Sequence, residues 1–284
     1  MEFKSLAPHL HSTAEATAAF VRDKYGWTGL KAEQEITPDI QLRPTLQATS
    51  RDLETICIEV SESPYSGTLD EAVIVCKNEC LPVKLFVAIP KSGVNQTQDF
   101  QKLLSRARRN GVGIIEVDGN GQGTILTDAL SLSLSGVRKI NPKEFPTKYR
   151  QGLSEAENTF YANPSKGCLA VYEEIELLSR RLAAKCLKLG LWTSGRKLKL
   201  DKDPWAAIIK EMLQTFPATT NPAPDLNAAL LGRILGITAH RNDVGHKPKN
   251  RAELIKRNKE LRTRFESAVD LLRDVLKAVK PIGV

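Results

Sequence analysis

Over residues 1–130 the chain alternates between segments whose apolar residues recur three and four positions apart and segments that are β-branched or alternate apolar with polar. The first pattern keeps one face of a helix apolar and the second keeps one face of a strand apolar. A helix is therefore expected over "HSTAEATAAFVRDKYG", ended by Gly26, and strands over "EQEITPDIQLRPTLQAT" and "ETICIEVSES". A helix "LDEAVIVCKNEC", a strand "VKLFVAIP", a helix "QDFQKLLSRARRNG", a strand "GIIEVD" and a further strand "TILTDAL" follow. The cluster "GNGQG" at 119–123 lies between two strand-like runs, which predicts a hairpin turn rather than a phosphate cradle ahead of a helix. Helices and strands in this order define an α/β domain, expected over residues 1–140.

Residues 141–164 hold three prolines and little periodicity, and are expected to form a linker with room for one short helix. Beyond them, over 165–284, the pattern changes to helical throughout. In "CLAVYEEIELLSRRLAAKCLKLG" the residues Leu169, Tyr172, Ile175, Leu178, Leu182, Cys186 and Leu189 form one stripe, ended by Gly190. "DPWAAIIKEMLQTF" predicts a second helix with Pro204 at its start, and "LNAALLGRILGITAHR" a third. A fourth begins at Asn250, a candidate N-cap with Glu253 three residues on, and carries the stripe Leu254, Leu261, Phe265, Ala268, Leu272, Val275 and Val279. Four amphipathic helices predict a bundle. The expected fold class is thus α/β plus all-α.

Composition adds little until the charge is divided. At 41% hydrophobic and 26% charged residues the chain resembles ordinary globular proteins, and no run approaches the roughly 18 apolar residues of a membrane span. The opening "MEFKSLAPHLHSTAEATAAF" lacks a basic start and an apolar core, so a cytoplasmic location and no membrane partner are expected. Five cysteines, Cys57, Cys76, Cys80, Cys168 and Cys186, are an odd and scattered set, expected to be reduced core thiols. No metal or cofactor is expected.

The net charge is +8, yet residues 1–150 contain 18 Lys/Arg and 18 Asp/Glu, so the whole excess lies in 151–284. It concentrates at 247–264, where Lys247, Lys249, Arg251, Lys256, Arg257, Lys259, Arg262 and Arg264 face only Glu253 and Glu260. Such a run suits a polyanion, and Lys247, Lys249, Arg251 and Arg257 are candidate RNA contacts; a solvated helix face explains the same charges.

The stretch "ITAHRNDVGHKPKN" at 237–250 carries the strongest candidate chemistry. Leu230, Ile234, Ile237 and Arg241 continue one stripe, so Arg241 points to the apolar side at the helix end. Gly245 and Pro248 favour a bend beyond it that would bring His246 to the same surface. An imidazole of pKa near about 6.5 is suited to removing a ribose 2′-hydroxyl proton, while a guanidinium holds the phosphate and its developing charge. Asn242 is placed to orient the histidine or the ribose. Helix capping by Arg241 and His246 is the alternative role for the pair.

"RNDVGH" between the third and fourth helices of a bundle resembles the R-x4-6-H motif of the HEPN superfamily, and "VYEEIELLSRRLAAK" resembles the acidic-then-basic first helix of those domains. The resemblance implies a metal-independent ribonuclease in which two protomers combine their motifs in one site, leaving a 2′,3′-cyclic phosphate. It assigns Arg241 to the phosphate, His246 to general base and Asn242 to a supporting role, with RNA as substrate, a homodimer formed through this domain, and a toxin or antiviral setting. Some such domains instead act as non-catalytic adaptors. In the first half, "LRPTLQA", "ICIEVSES" and "RARRNGVGIIEVD" resemble the restriction-endonuclease-like fold of the PD-(D/E)XK superfamily. That resemblance implies two metal-binding carboxylates and a lysine, but Thr45 stands at the aspartate position and Ser61 at the lysine position, leaving Glu59, with Asp39 as a substitute. The domain is expected to have lost cleavage and to bind a regulatory ligand or protein. A Mg²⁺-dependent nuclease centred on Glu59 and Asp39 is the third reading.

Overall fold

The computed structural model describes the chain apart from residues 28, 39, 41, 92–96, 195–198, 216–222 and 242–246. It is a mixed α/β structure that divides into two compact units, Met1–Val137 with Pro248–Lys259, and Arg138–Lys247 with Glu260–Val284.

The first unit is built on a six-stranded sheet whose spatial order follows the chain. Its strands are β1 (Lys31–Ala32), β2 (Leu46–Thr49), β3 (Thr55–Val60), β4 (Val83–Pro90), β5 (Gly113–Val117) and β6 (Gly123–Thr127). Strands β1, β2 and β3 pair antiparallel, β3, β4 and β5 parallel, and β6 returns antiparallel on β5. Each parallel step needs a crossover, supplied by α2 (Gly67–Asn78) and α3 (Gln98–Asn110). Side-chain alternation sends Leu46, Ile56, Ile58, Val60, Ala88 and Ile115 to one face, where α1 (His11–Tyr25) packs through Ala14, Ala18 and Val21. The opposite face, with Cys57, Leu85, Val87, Ile89 and Ile114, meets Leu69, Val73 and Cys76 of α2 and Phe100, Leu104 and Ala107 of α3. Strands buried on both faces must be apolar throughout, which is why β3 and β4 read as "TICIEV" and "VKLFVAIP".

Local chemistry closes these elements as expected. Gly26 ends α1 in the left-handed conformation at φ 65°, its amide donating to the Arg22 carbonyl at 2.8 Å. "GNGQG" forms the β5–β6 turn, in which Asp118 Oδ1 accepts from the amides of Asn120 and Gln122 at 2.9 Å each. Among the described residues, the long strand expected over "EQEITPDIQLRPTLQAT" is reduced to β2 at its end, because Pro38 and Pro44 have no amide hydrogen to give to a ladder. A short helix, α4 (Leu132–Ser135), follows the sheet.

The second unit is helical, with α5 (Thr147–Ala162), α6 (Pro164–Lys188), α7 (Trp205–Thr215), α8 (Ala228–His240) and most of α9 (Arg251–Val279). The linker expected at 141–164 is instead structured. It holds a 3-10 turn at Pro142–Glu144 and the four-turn α5, which buries Tyr149, Leu153, Ala156 and Phe160. The unit thus has five helices among its described residues, not four. Asn163 joins α5 to α6, its side chain accepting from the Lys166 amide at 3.1 Å, with Pro164 in the first turn. The two helices touch at Gly167, where a Cβ would lie 2.5 Å from the Phe160 Cα. Phe160 in turn stacks obliquely on Phe265 of α9, ring centroids 4.5 Å apart. On α6 the predicted stripe is buried from Tyr172 to Cys186, whereas Leu169 is half-buried and Leu189 exposed beyond the helix end.

The cap expected for α9 is present: Asn250 Oδ1 accepts from the Glu253 amide at 2.9 Å and Glu253 Oε2 from the Lys249 amide at 2.7 Å. The first turns of α9 belong to the sheet unit, where Asn258, buried, donates to Ser133 Oγ of α4 at 2.8 Å. All five cysteines are thiols outside any disulfide, and all are buried. Burial raises the Cys186 thiol to about 11 and the Cys76 thiol to about 12, so these two are poor nucleophiles. Among the described residues no helix is long and apolar enough to cross a membrane.

Candidate functional site

The chemistry-bearing stretch begins where α8 ends. Asn227 caps the start of α8, accepting from the Leu230 amide at 3.0 Å, and Leu230, Leu231 and Ile234 bury its apolar face. Arg241 follows as the C-terminal cap residue, still helical at φ −59° and ψ −33°. Its guanidinium turns to α6 and donates to Glu176 Oε2. The other oxygen of the same carboxylate accepts from Arg180, through Nε at 3.0 Å and Nη2 at 2.7 Å. Arg180 also donates to the Leu200 carbonyl and, at 3.1 Å, to the Asp203 carbonyl. One carboxylate thus lies between two guanidiniums, and the cluster keeps a net positive charge.

The burial gradient across this cluster decides what it can do. The Glu176 side chain is 13% exposed and Arg180 21%, while Arg241 retains 40%. A carboxylate so enclosed is bonded on both oxygens by guanidiniums, and Arg241 is held on one edge with donors left over for an anion from solvent. Asn242 and His246, assigned with Arg241 to the catalytic set, lie outside the described residues. Glu176 and Arg180, which the structure brings to Arg241, were not singled out by the sequence pattern. Their signal was an acid and a base four apart on one helix, which places both on one face.

The candidate RNA contacts separate. Lys247 falls in the helical unit and Lys249, Arg251 and Arg257 in the sheet unit. Lys247 and Lys249 are exposed, as an electrostatic contact requires. Arg251 departs from the expected solvent-facing role: its charge bears on the buried Cys57 and Cys76 thiols, and its Nη2 is buried with no hydrogen-bond partner among the described residues. Of the arginines closing α3, Arg106 pairs with Asp70 of α2 and Arg108 donates to Thr127 Oγ1 of β6 at 2.9 Å.

In the sheet unit, β2 and β3 bring together the positions where the nuclease-like resemblance would place metal chemistry. Leu46 registers with Ile58, which puts Thr45 beside Glu59. Thr45 donates its amide to Glu59 Oε2 at 3.2 Å, and its hydroxyl accepts from the Val60 amide at 3.0 Å. Burial pushes the Glu59 carboxyl up to about 7, against the bonds from Thr45. Ser61, at the lysine position, accepts from the Ser63 amide at 3.1 Å and supplies no cation. Asp39 lies outside the described residues. Among the described residues no group of three or more His, Cys, Asp or Glu side chains is placed to hold a metal ion. Glu59 opens instead on a cavity of about 350 Å³, lined also by Ile40, Leu42, Arg43, Thr68, Glu71 and Ala72.

In comparisons with known proteins, the chain matches no family model, no curated protein and no solved structure.

Proposed function

We propose that the helical unit is a metal-independent endoribonuclease whose reaction centres on Arg241 and His246. The single observation carrying this reading is the state of Arg241: at the end of α8, oriented by Glu176 and accessible on its outer edge. An arginine used only for capping would turn to the terminal carbonyls of its own helix. In the proposed step His246 accepts the ribose 2′-hydroxyl proton as the 2′-oxygen bonds to phosphorus. The P–O5′ bond breaks, the 5′-oxygen is protonated from water, and a 2′,3′-cyclic phosphate remains. Arg241 binds the nonbridging oxygens as their charge grows, and Asn242 orients the imidazole or ribose. The excess of basic residues in 151–284 supports an RNA substrate. A homodimer joining two motifs, and a toxin or antiviral setting, belong to the same proposal through the HEPN resemblance. In this reading the sheet unit is a nuclease-like fold that has lost cleavage and serves binding.

The test is RNA cleavage by purified protein in EDTA, with product ends analysed. Cyclic phosphate ends are expected, and Arg241→Ala and His246→Ala should each lower kcat by about 10²–10⁴-fold with unchanged circular dichroism. Undiminished cleavage by both variants sinks the mechanism. Salt-sensitive RNA binding without products would mark an adaptor, and cleavage abolished by EDTA would shift the chemistry to a metal site around Glu59 and Asp39.

A further inference from the structure

The cavity against Glu59 has a lining that asks for a particular ligand. At about 350 Å³ it lies at the small end of sites that hold organic molecules. Ile40, Leu42 and Ala72 give it hydrocarbon walls, while Glu59, Glu71 and Thr68 offer oxygens. The cation among its described lining residues, Arg43, is already matched, donating to Glu35 at 2.5 Å. Among the described residues, the groups that bear on the Glu59 carboxyl are Thr45 and Glu33, neither of them basic. A carboxyl drawn out of water without a positive partner is costly to ionise. Its proton affinity is raised for that reason, up to about 7. A divalent metal is a poor match, since Mg²⁺ seeks six oxygens including several waters, and much of this wall is apolar.

We propose that this cavity binds a small organic cation of the alkylammonium class, its N–H groups on the Glu59 carboxylate and its hydrocarbon against Ile40, Leu42 and Ala72. The ammonium supplies the charge that the fold withholds from Glu59 and forms a charge-assisted hydrogen bond in a half-buried setting. Exposed Glu71 adds attraction at longer range. Because the bound cation favours ionised Glu59, binding below neutral pH releases a proton.

The experiment is calorimetry on the full chain with three probes of one size, n-butylammonium, n-butyrate and butan-1-ol, at about pH 6 in buffers of different ionisation enthalpy. Saturable binding of butylammonium alone is expected, with proton release. Glu59→Gln should weaken it by at least about tenfold and Glu71→Gln by less, because the exposed carboxylate is screened. Glu59→Gln keeps the shape of the side chain, and Glu71 is an exposed position on α2, so both variants should fold; circular dichroism checks this. No saturable butylammonium binding, tighter binding of butyrate, or undiminished binding by Glu59→Gln overturns the proposal. So does Glu59-dependent Mg²⁺ binding that displaces the amine at lower concentration.

Discussion

Arg241 and Glu59 show how burial decides the role of an ionisable side chain. Glu176 is enclosed and flanked by two arginines, and in the proposed mechanism it positions Arg241. Glu176→Gln keeps the shape and removes the charge. It should lower kcat by about 10–100-fold with little change in KM or melting temperature, since misplacing a transition-state contact slows the chemical step more than binding. An equal rise in KM with unaltered kcat would show that Glu176 acts on ground-state binding instead. Glu59 has the opposite environment. Its folded pKa of about 7 exceeds the ordinary 4.5, so between those values the folded chain keeps a proton that the unfolded chain has released. Its contribution to stability therefore declines as pH rises through that window and levels off above it. Glu59→Gln should flatten the decline and raise the unfolding free energy near pH 8 by roughly 2–3 kcal/mol, read from urea melts at several pH values.

At the scale of elements, the close approach of α5 and α6 is the feature most exposed to a single change. Alanine is the better helix former by about 1 kcal/mol, which would favour Gly167→Ala in an isolated helix. Here the new methyl would lie 2.5 Å from the backbone of Phe160, so the helices must part and the Phe160–Phe265 contact must shift. Overpacking should win, with a net loss of about 1–3 kcal/mol seen as a lower denaturation midpoint. The periodicity of "VYEEIELLSRRLAAK" was sufficient to locate α6, but α5 escaped because its apolar residues are interleaved with the polar run "SEAENT" between prolines. Strand β2 was overextended for the converse reason: β-branched composition favours strands, but it cannot supply the amide hydrogens that Pro38 and Pro44 lack.

At the scale of the whole molecule, charge is the property that acts at a distance. With the excess of +8 carried by residues 151–284, the RNA binding proposed above should weaken steeply with added salt. Replacing Lys247 and Lys249 by alanine should reduce the slope of log K against log salt by roughly one for each phosphate that is no longer neutralised. Filter binding or fluorescence anisotropy across a salt series measures this, and an unchanged slope removes these two residues from the interface. Arg251→Ala should leave the slope nearly unaltered, because that side chain is turned toward the thiols of the sheet unit.

The hydrophobic pattern by itself determined where α1, α2, α3, α6, α7, α8 and α9 and strands β3 to β6 form, because periods of two and about 3.6 are local consequences of backbone geometry. It also located the caps at Gly26 and Asn250 and the hairpin turn, whose chemistry spans a few residues. Only the tertiary structure decided that Glu176, braced by Arg180, holds Arg241 from 65 residues away in sequence, that Thr45 meets Glu59, and that Arg251 turns inward. Those contacts join elements distant along the chain, and no local period encodes which faces will meet.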